Sequence, residues 1–247
     1  MSRMTDMLSR YARLLAASAD AHVAHQGGRV ARSDDMWLAD FGGAAGFANG
    51  ATLLREPKDL GRLADEAIAF ADRQPGSGLF YFWGGWPLPE PVAPWRPDGH
   101  PPLMIREPLE RPSLPHHIEE VTGDAAEFEA TLARAYPLDR AGWRPGLLFG
   151  PDVHATGWRL FLGRLDDGRP VATSAAYTHD GLTEVNYVSV APEARGQGFA
   201  AAITYAAACA DPAASAMLLA SELGLPVYEK MGFQVAVPHF HMWAYDR

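Results

Sequence analysis

Ten of the chain's 20 prolines fall between Pro87 and Pro115. Proline lacks a backbone N–H and fixes φ, so a stretch this rich in it cannot hold a long helix or a central strand. It reads as a seam. With 247 residues and 48% hydrophobic content, the chain can build one large domain or two of ordinary size. We place the boundary near Pro115, giving halves 1–115 and 116–247.

In the first half Met4, Met7, Leu8, Tyr11, Leu14 and Leu15 keep helical spacing until Gly27-Gly28 stops it. Two strand-like runs follow, "MWLADF" and "FANGATLLR". A second helix presents Leu60, Leu63, Ala64, Ala67, Ile68 and Ala71, and the aromatic strand "GLFYFWG" comes after it. "PPLMIRE" is a candidate last strand. The second half opens with "HIEEV". Asp124 then stands three residues before Glu127, as in a capping box, ahead of a helix bearing Phe128, Leu132 and Ala135. "WRLFLGRL" and "PVATSAAYT" flank Asp166-Asp167-Gly168 and read as a hairpin leading to "VNYVSV". A helix from Phe199 to Ala210, the strand "AMLLAS", a short helix opening at Pro226, and strands near "FQVAV" and "FHMWAY" complete the chain. Both halves therefore run helix, strands, helix, strand, strand. The fold class is α+β, each half a mixed sheet flanked by helices.

Composition narrows the function. The formal charge of −9 argues against a nucleic-acid partner, which normally meets a basic stripe. The longest nearly apolar run, "FAAAITYAAACA", is short of the roughly 20 residues a membrane span needs. Asp6 and scattered arginines break up any signal-peptide core. The expectation is a cytoplasmic protein with no membrane association. The single cysteine, Cys209, has no internal disulfide partner and is expected as a small core residue.

The stretch "VNYVSVAPEARGQGFA" carries the chemistry. An alternating strand breaks at Pro192 and passes through Arg195-Gly196-Gln197-Gly198 into an alanine-rich helix. A helix N-terminus reached through glycines offers unpaired N–H groups to a phosphate. The letters also satisfy the dinucleotide fingerprint, but three strands precede them and only 46 residues follow Ala201, too few for a doubly wound domain. A P-loop is excluded because no Gly-Lys-Ser/Thr closes the turn.

From about His117 to Tyr245 these residues resemble the GNAT superfamily of acyl-CoA-dependent N-acyltransferases. The family's phosphate loop, Arg/Gln-x-x-Gly-x-Gly/Ala, is met by Arg195, Gly198 and Ala200. Its Tyr-x-x-x-Gly-Phe signal is met by Tyr228, Gly232 and Phe233. The Met1 to Pro115 half is similar to the degenerate N-terminal copy of tandem members, and "LREPKDLGRL" lacks paired glycines there, so one cofactor site is expected.

The resemblance implies two GNAT-like lobes and acetyl-CoA as cosubstrate. Its pyrophosphate would lie on Arg195, Gly196, Gln197, Gly198, Phe199 and Ala200, and its pantetheine arm on the backbone of Val188 and Val190. It further implies acetyl transfer to a primary amine by direct attack, with Tyr228 as the acid and Glu184 at the position where some members carry the base. The acceptor would be a small molecule or a peptide amine, and a homodimer is allowed. His116 and His117 compete with Glu184 as bases if the first strand ends near the site. His239-Phe-His241 lacks a third ligand, so no metal is expected. The seven tryptophans, Trp83, Trp86 and Trp95 among them, are assigned to core and interlobe packing. A reading from another class is a catalytically silent acyl-CoA sensor or scaffold.

Overall fold

A computed structural model describes residues 3–26, 28–40, 49–73, 78–136, 146, 148–150 and 153–247. The helix stop at Gly27 and the Phe47-Ala48 start of one expected strand lie outside the described residues, as does Trp143. Helix α1 (Arg3–Gln26) buries Leu8, Tyr11, Ala12, Leu14 and Ala16. Strands β1 (Arg29–Arg32), β2 (Met36–Asp40) and β3 (Gly50–Leu53) lead to α2 (Leu60–Ala71) and β4 (Leu79–Gly84). Next come β5 (Arg96–Gly99), β6 (Leu103–Arg106), β7 (His117–Glu120) and α3 (Ala126–Ala135). The remainder is β8 (Trp158–Arg164), β9 (Pro170–His179), β10 (Leu182–Val190), α4 (Phe199–Ala208), β11 (Ser215–Leu219), α5 (Leu225–Lys230), β12 (Gln234–Val237) and β13 (His241–Asp246).

Two mixed sheets form, ordered β1-β2-β3-β4-β13-β5 and β12-β6-β11-β10-β9-β8-β7. Each holds a parallel pair, β3–β4 and β10–β11, bridged by the crossover helix that parallel pairing requires, α2 and α4 respectively. Tight turns join β1 to β2, β8 to β9 and β9 to β10. Asp180 and Gly181 take φ of 51° and 69° between β9 and β10, the left-handed pair that a two-residue hairpin favours.

The sheets do not follow the seam near Pro115. β6 from the first half lies between β11 and β12, antiparallel to both, while β13 from the second half lies between β4 and β5. Each half thus lends one strand to the other. The proline rule holds for β5, an edge strand that contains Pro97, but β6 is interior. Its four residues contain no proline, and that is length enough for a full ladder.

The cores follow the exchange. One cluster joins Leu8, Tyr11 and Phe80 to Leu103, Leu182, Met217, Phe240 and Trp243, so it spans both halves. α1 lies against both sheets, and the buried Trp158 indole N–H donates to the Ser18 carbonyl at 3.2 Å. A second cluster sits under α4 and α5 and a third under α3. Two local expectations change. The residue capping α3 is Ala125, with Asp124 Oδ1 accepting from Ala126 N–H at 2.9 Å; Glu127 turns instead to Arg164 on β8, an ion pair at 2.6 Å, so no capping box forms. Cys209 is half-buried at the end of α4 rather than packed in the core.

Candidate functional site

β10 and β11 pair in parallel at Leu182–Ser215, Thr183–Ala216 and Glu184–Met217, and the ladder stops there. β10 nevertheless runs on to Val190. From Val185 onward its β11-facing edge has no partner in β11, which leaves a gap in the ladder. Within that stretch the register with β9 shifts between Asn186 and Ser189, a β-bulge that sets Tyr187 at φ 52°. Val188 lies within the bulge and Val190 beyond it, and both pack partly against the cluster under α4.

The chain leaves β10 through Ala191 and a 3-10 turn at 192–194 into an exposed loop, Arg195–Gly198. Gly196 and Gly198 take φ of 74° and 87°, a region side chains with a Cβ seldom adopt. Gly198 is the N-cap of α4, and no side chain caps that end. The first amides of α4 therefore keep their anion-binding capacity. Space is available as well: a Cβ on Gly196 would meet nothing within 4 Å. His116 buttresses the loop, its Nε2 donating to the Gln197 carbonyl at 2.7 Å and its ring packing edge-on to Phe199. His117 is exposed on β7, 3.6 Å from Glu119. The equivalent end of α2 in the first half is closed, because Asp59 Oδ1 accepts the Arg62 N–H at 3.0 Å. A carboxylate already occupies the place a phosphate would need.

Glu184 is buried, 4% exposed, where a strand end would ordinarily be solvated. α1 covers it. Asn186 Nδ2 donates to Oε1 at 3.0 Å, while the nearby Ser18 hydroxyl is used by the Leu15 carbonyl, so Oε2 has no hydrogen-bond partner among the described residues. Desolvation pushes the carboxyl up to about 7, opposed by the nearby Ser18 hydroxyl, which in this geometry bonds Leu15 instead, and by the Asn186 hydrogen bond. Burial, and then the Glu184 charge, raises the phenol of Tyr11 well above its ordinary value. Asn186 also accepts the Tyr187 N–H on Oδ1 at 2.8 Å, so one amide ties the carboxylate to the bulge. Reading the sequence missed this residue. Its signal was an Asn inside a β-branched strand, where a side chain that bonds its own backbone disturbs the ladder.

Tyr228 sits on α5, 7% exposed, with its ring edge-on to Phe233 at 5.9 Å. Gly224 makes room for it: a Cβ there would lie 2.6 Å from Tyr228 Cε2. Burial pushes the phenol up to about 12, with a smaller push from Tyr136, so it stays protonated at neutral pH. Glu184 and Tyr228 lie on opposite faces of the second sheet. Glu184 shares its face with Leu182 and Met217 under α1, whereas Tyr228 belongs with Val185, Ala216 and Leu218 under α4 and α5.

Residues 158–235 match the family model described as an acetyltransferase (GNAT) domain. Comparison with curated proteins returns no match. Among solved structures, a GCN5-related N-acetyltransferase from Kribbella flavida superposes with a TM-score of 0.62 at 21% identity, covering 95% of each chain. A structure from Novosphingobium aromaticivorans, described as a putative acetyltransferase of the GNAT family, gives 0.59 at 17% identity over 93% of this chain and 96% of its own. A tandem GNAT protein from the clavulanic acid biosynthesis pathway gives 0.55 at 13% identity over 98% and 95%. None of the helices described is long and apolar enough to cross a membrane. Residues 158–235 thus match the GNAT acetyltransferase domain, and the chain shares the two-lobed fold of solved GNAT-family structures.

Proposed function

We propose that the protein transfers an acetyl group from acetyl-CoA to a primary amine by direct attack in a ternary complex. The observation that carries the reading is the parted strand. The β10–β11 ladder ends at Glu184–Met217 while β10 continues into an uncapped, glycine-lined helix N-terminus. That arrangement supports a pyrophosphate on residues 195–200 and a pantetheine arm along Val188 and Val190 in the gap. The closed N-terminus of α2 supports one such site, in the second sheet.

An amine arrives mostly protonated, and Glu184, with a pKa of about 7, suits a base that takes that proton directly or through water. Attack on the thioester carbonyl then forms the amide bond as the carbon–sulfur bond breaks. Tyr228 donates its phenolic proton to the departing sulfur, which would otherwise leave as a thiolate. The two roles lie on opposite faces, so the amine enters from the α1 side and the thioester from the α4–α5 side. The test is amine-dependent CoA release from acetyl-CoA over a panel of small amines and short peptides. Release that needs an amine and yields the acetylated product is expected. A protein that binds acetyl-CoA yet releases no CoA with any amine would be the silent sensor instead.

A further inference from the structure

At the end of the second sheet away from the glycine loop, β6 and the turn from α5 into β12 enclose an open cleft of about 340 Å3. Its position follows from register. Arg106 pairs with Ala216 near the start of β11, and β11 starts beside Leu182 at the start of β10, whereas the glycine loop follows the end of β10. Ile105, Pro108, Leu109 and Met231 give the cleft apolar walls, Glu107 stands on its rim, and Arg106 belongs to its lining.

Arg106 is 6% exposed. Its guanidinium lies over the Tyr205 ring at 4.9 Å and near Phe233 at 5.9 Å, with the Cys209 thiol beside it. Nη2 is buried without a hydrogen-bond partner, and no carboxylate pairs with this arginine among the described residues. A guanidinium carries five N–H donors and cannot discard its charge, so two aromatic faces leave its main requirement unmet. Stacking and the weak Cys209 thiol acceptor explain its position, and neither answers the buried Nη2. The cleft is the side from which a further acceptor can reach it. Leu109 adds to the case, since it is a large apolar side chain left 49% exposed at that opening.

We infer that this cleft is a second ligand site, separate from the acyl-transfer site, which takes a small organic monocarboxylate with an apolar body. The carboxylate bonds the fork of Arg106, and the body lies on Ile105, Leu109 and Met231. Glu107 on the rim disfavours a second negative charge on the ligand. The cleft volume falls at the small end of the ~300–1,000 Å3 range of ligand pockets.

The experiment titrates full-length protein, saturated with acetyl-CoA, with hexanoate and 3-phenylpropionate, against 3-phenylpropanol and inorganic phosphate. Calorimetry or ligand-observed NMR supplies the readout. Saturable binding of the carboxylates with Kd below about 1 mM, and none of the alcohol, is expected. Arg106→Met should weaken it by about 10- to 100-fold through loss of the charge-assisted bonds. Leu109→Asp, at a half-exposed position where the fold is safe, should weaken it comparably. The inference is overturned if no carboxylate saturates, if phosphate binds equally well, if the carboxylates bind only when acetyl-CoA is left out, or if the folded variants keep wild-type affinity.

Discussion

At the residue scale the chemistry turns on how far burial moves two protons. Glu184 holds its proton more tightly in the fold, since its folded pKa of about 7 lies above the 4.5 of a free side chain. As a base it works deprotonated, so kcat/KM should rise with pH and level off above about 7. Glu184→Gln should remove that limb and cost about 100- to 10,000-fold in rate. A pH–rate profile unchanged by the substitution would move the base elsewhere. The same shift has the opposite sign for stability. The folded state binds the extra proton between 4.5 and about 7, so this group's contribution is fully present below 4.5 and lost as pH rises through 7. Glu184→Gln should therefore stabilise the fold at pH 8, by up to about 3 kcal/mol, and leave it little changed at pH 4. Paired denaturant melts at the two pH values check this. For Tyr228, which stays a donor up to about 12, Tyr228→Phe keeps the ring on Phe233 and removes only the hydroxyl. A kcat lower by roughly 10- to 1,000-fold, with acetyl-CoA affinity nearly intact, is expected from steady-state kinetics and calorimetry. Turnover at the wild-type rate would return Tyr228 to packing.

At the element scale, what can be read in the sequence is what the backbone itself demands. Two glycines between a strand and an alanine-rich helix announced the loop, because positive φ needs them, and α4 begins at Phe199 as its spacing required. β5 stayed hidden for the same kind of reason. Pro97 argues against a strand, and only the sheet edge tolerates it. The buried state of Glu184 was invisible, since it depends on α1, a helix more than 150 positions earlier in the chain. The prediction at this scale belongs to the loop. Gly196→Asp should fold, because Asp tolerates left-handed φ and open space surrounds the site. Its carboxylate would stand where the proposed pyrophosphate would lie and repeat what Asp59 does for α2. Acetyl-CoA affinity should fall by about tenfold or more, as one like charge at close range costs upward of ~1 kcal/mol. A calorimetric titration that matches wild type would remove the pyrophosphate from this loop.

At the scale of the whole molecule the strand exchange governs behaviour, and no local pattern announces it. The alternation of "PPLMIRE" and "FHMWAY" marks each as a strand but is silent about which sheet receives it, because partners are chosen by packing across the fold. The consequence is mechanical coupling. β13 is an interior strand of the first sheet, where Trp243 is buried and stacks on Phe82 at 5.4 Å, and the adjoining Arg247 pairs with the buried Asp40 at 2.7 Å. β6 is equally interior to the second. Cutting the chain at Pro115 leaves the first sheet without β13 and the second without β6, so neither fragment should be soluble alone. In the intact chain the two lobes should unfold together, in a single calorimetric transition whose van't Hoff and calorimetric enthalpies agree. Trp243→Ala removes a large buried ring from the first sheet and should cost about 3–5 kcal/mol. Because the halves exchange β6 and β13 and the sheets share one core, that loss should lower the whole transition, including any part that added acetyl-CoA stabilises through the second sheet. Two resolved transitions, or a Trp243→Ala variant in which the acetyl-CoA-stabilised part melts at its wild-type temperature, would show that the lobes fold independently despite the exchange.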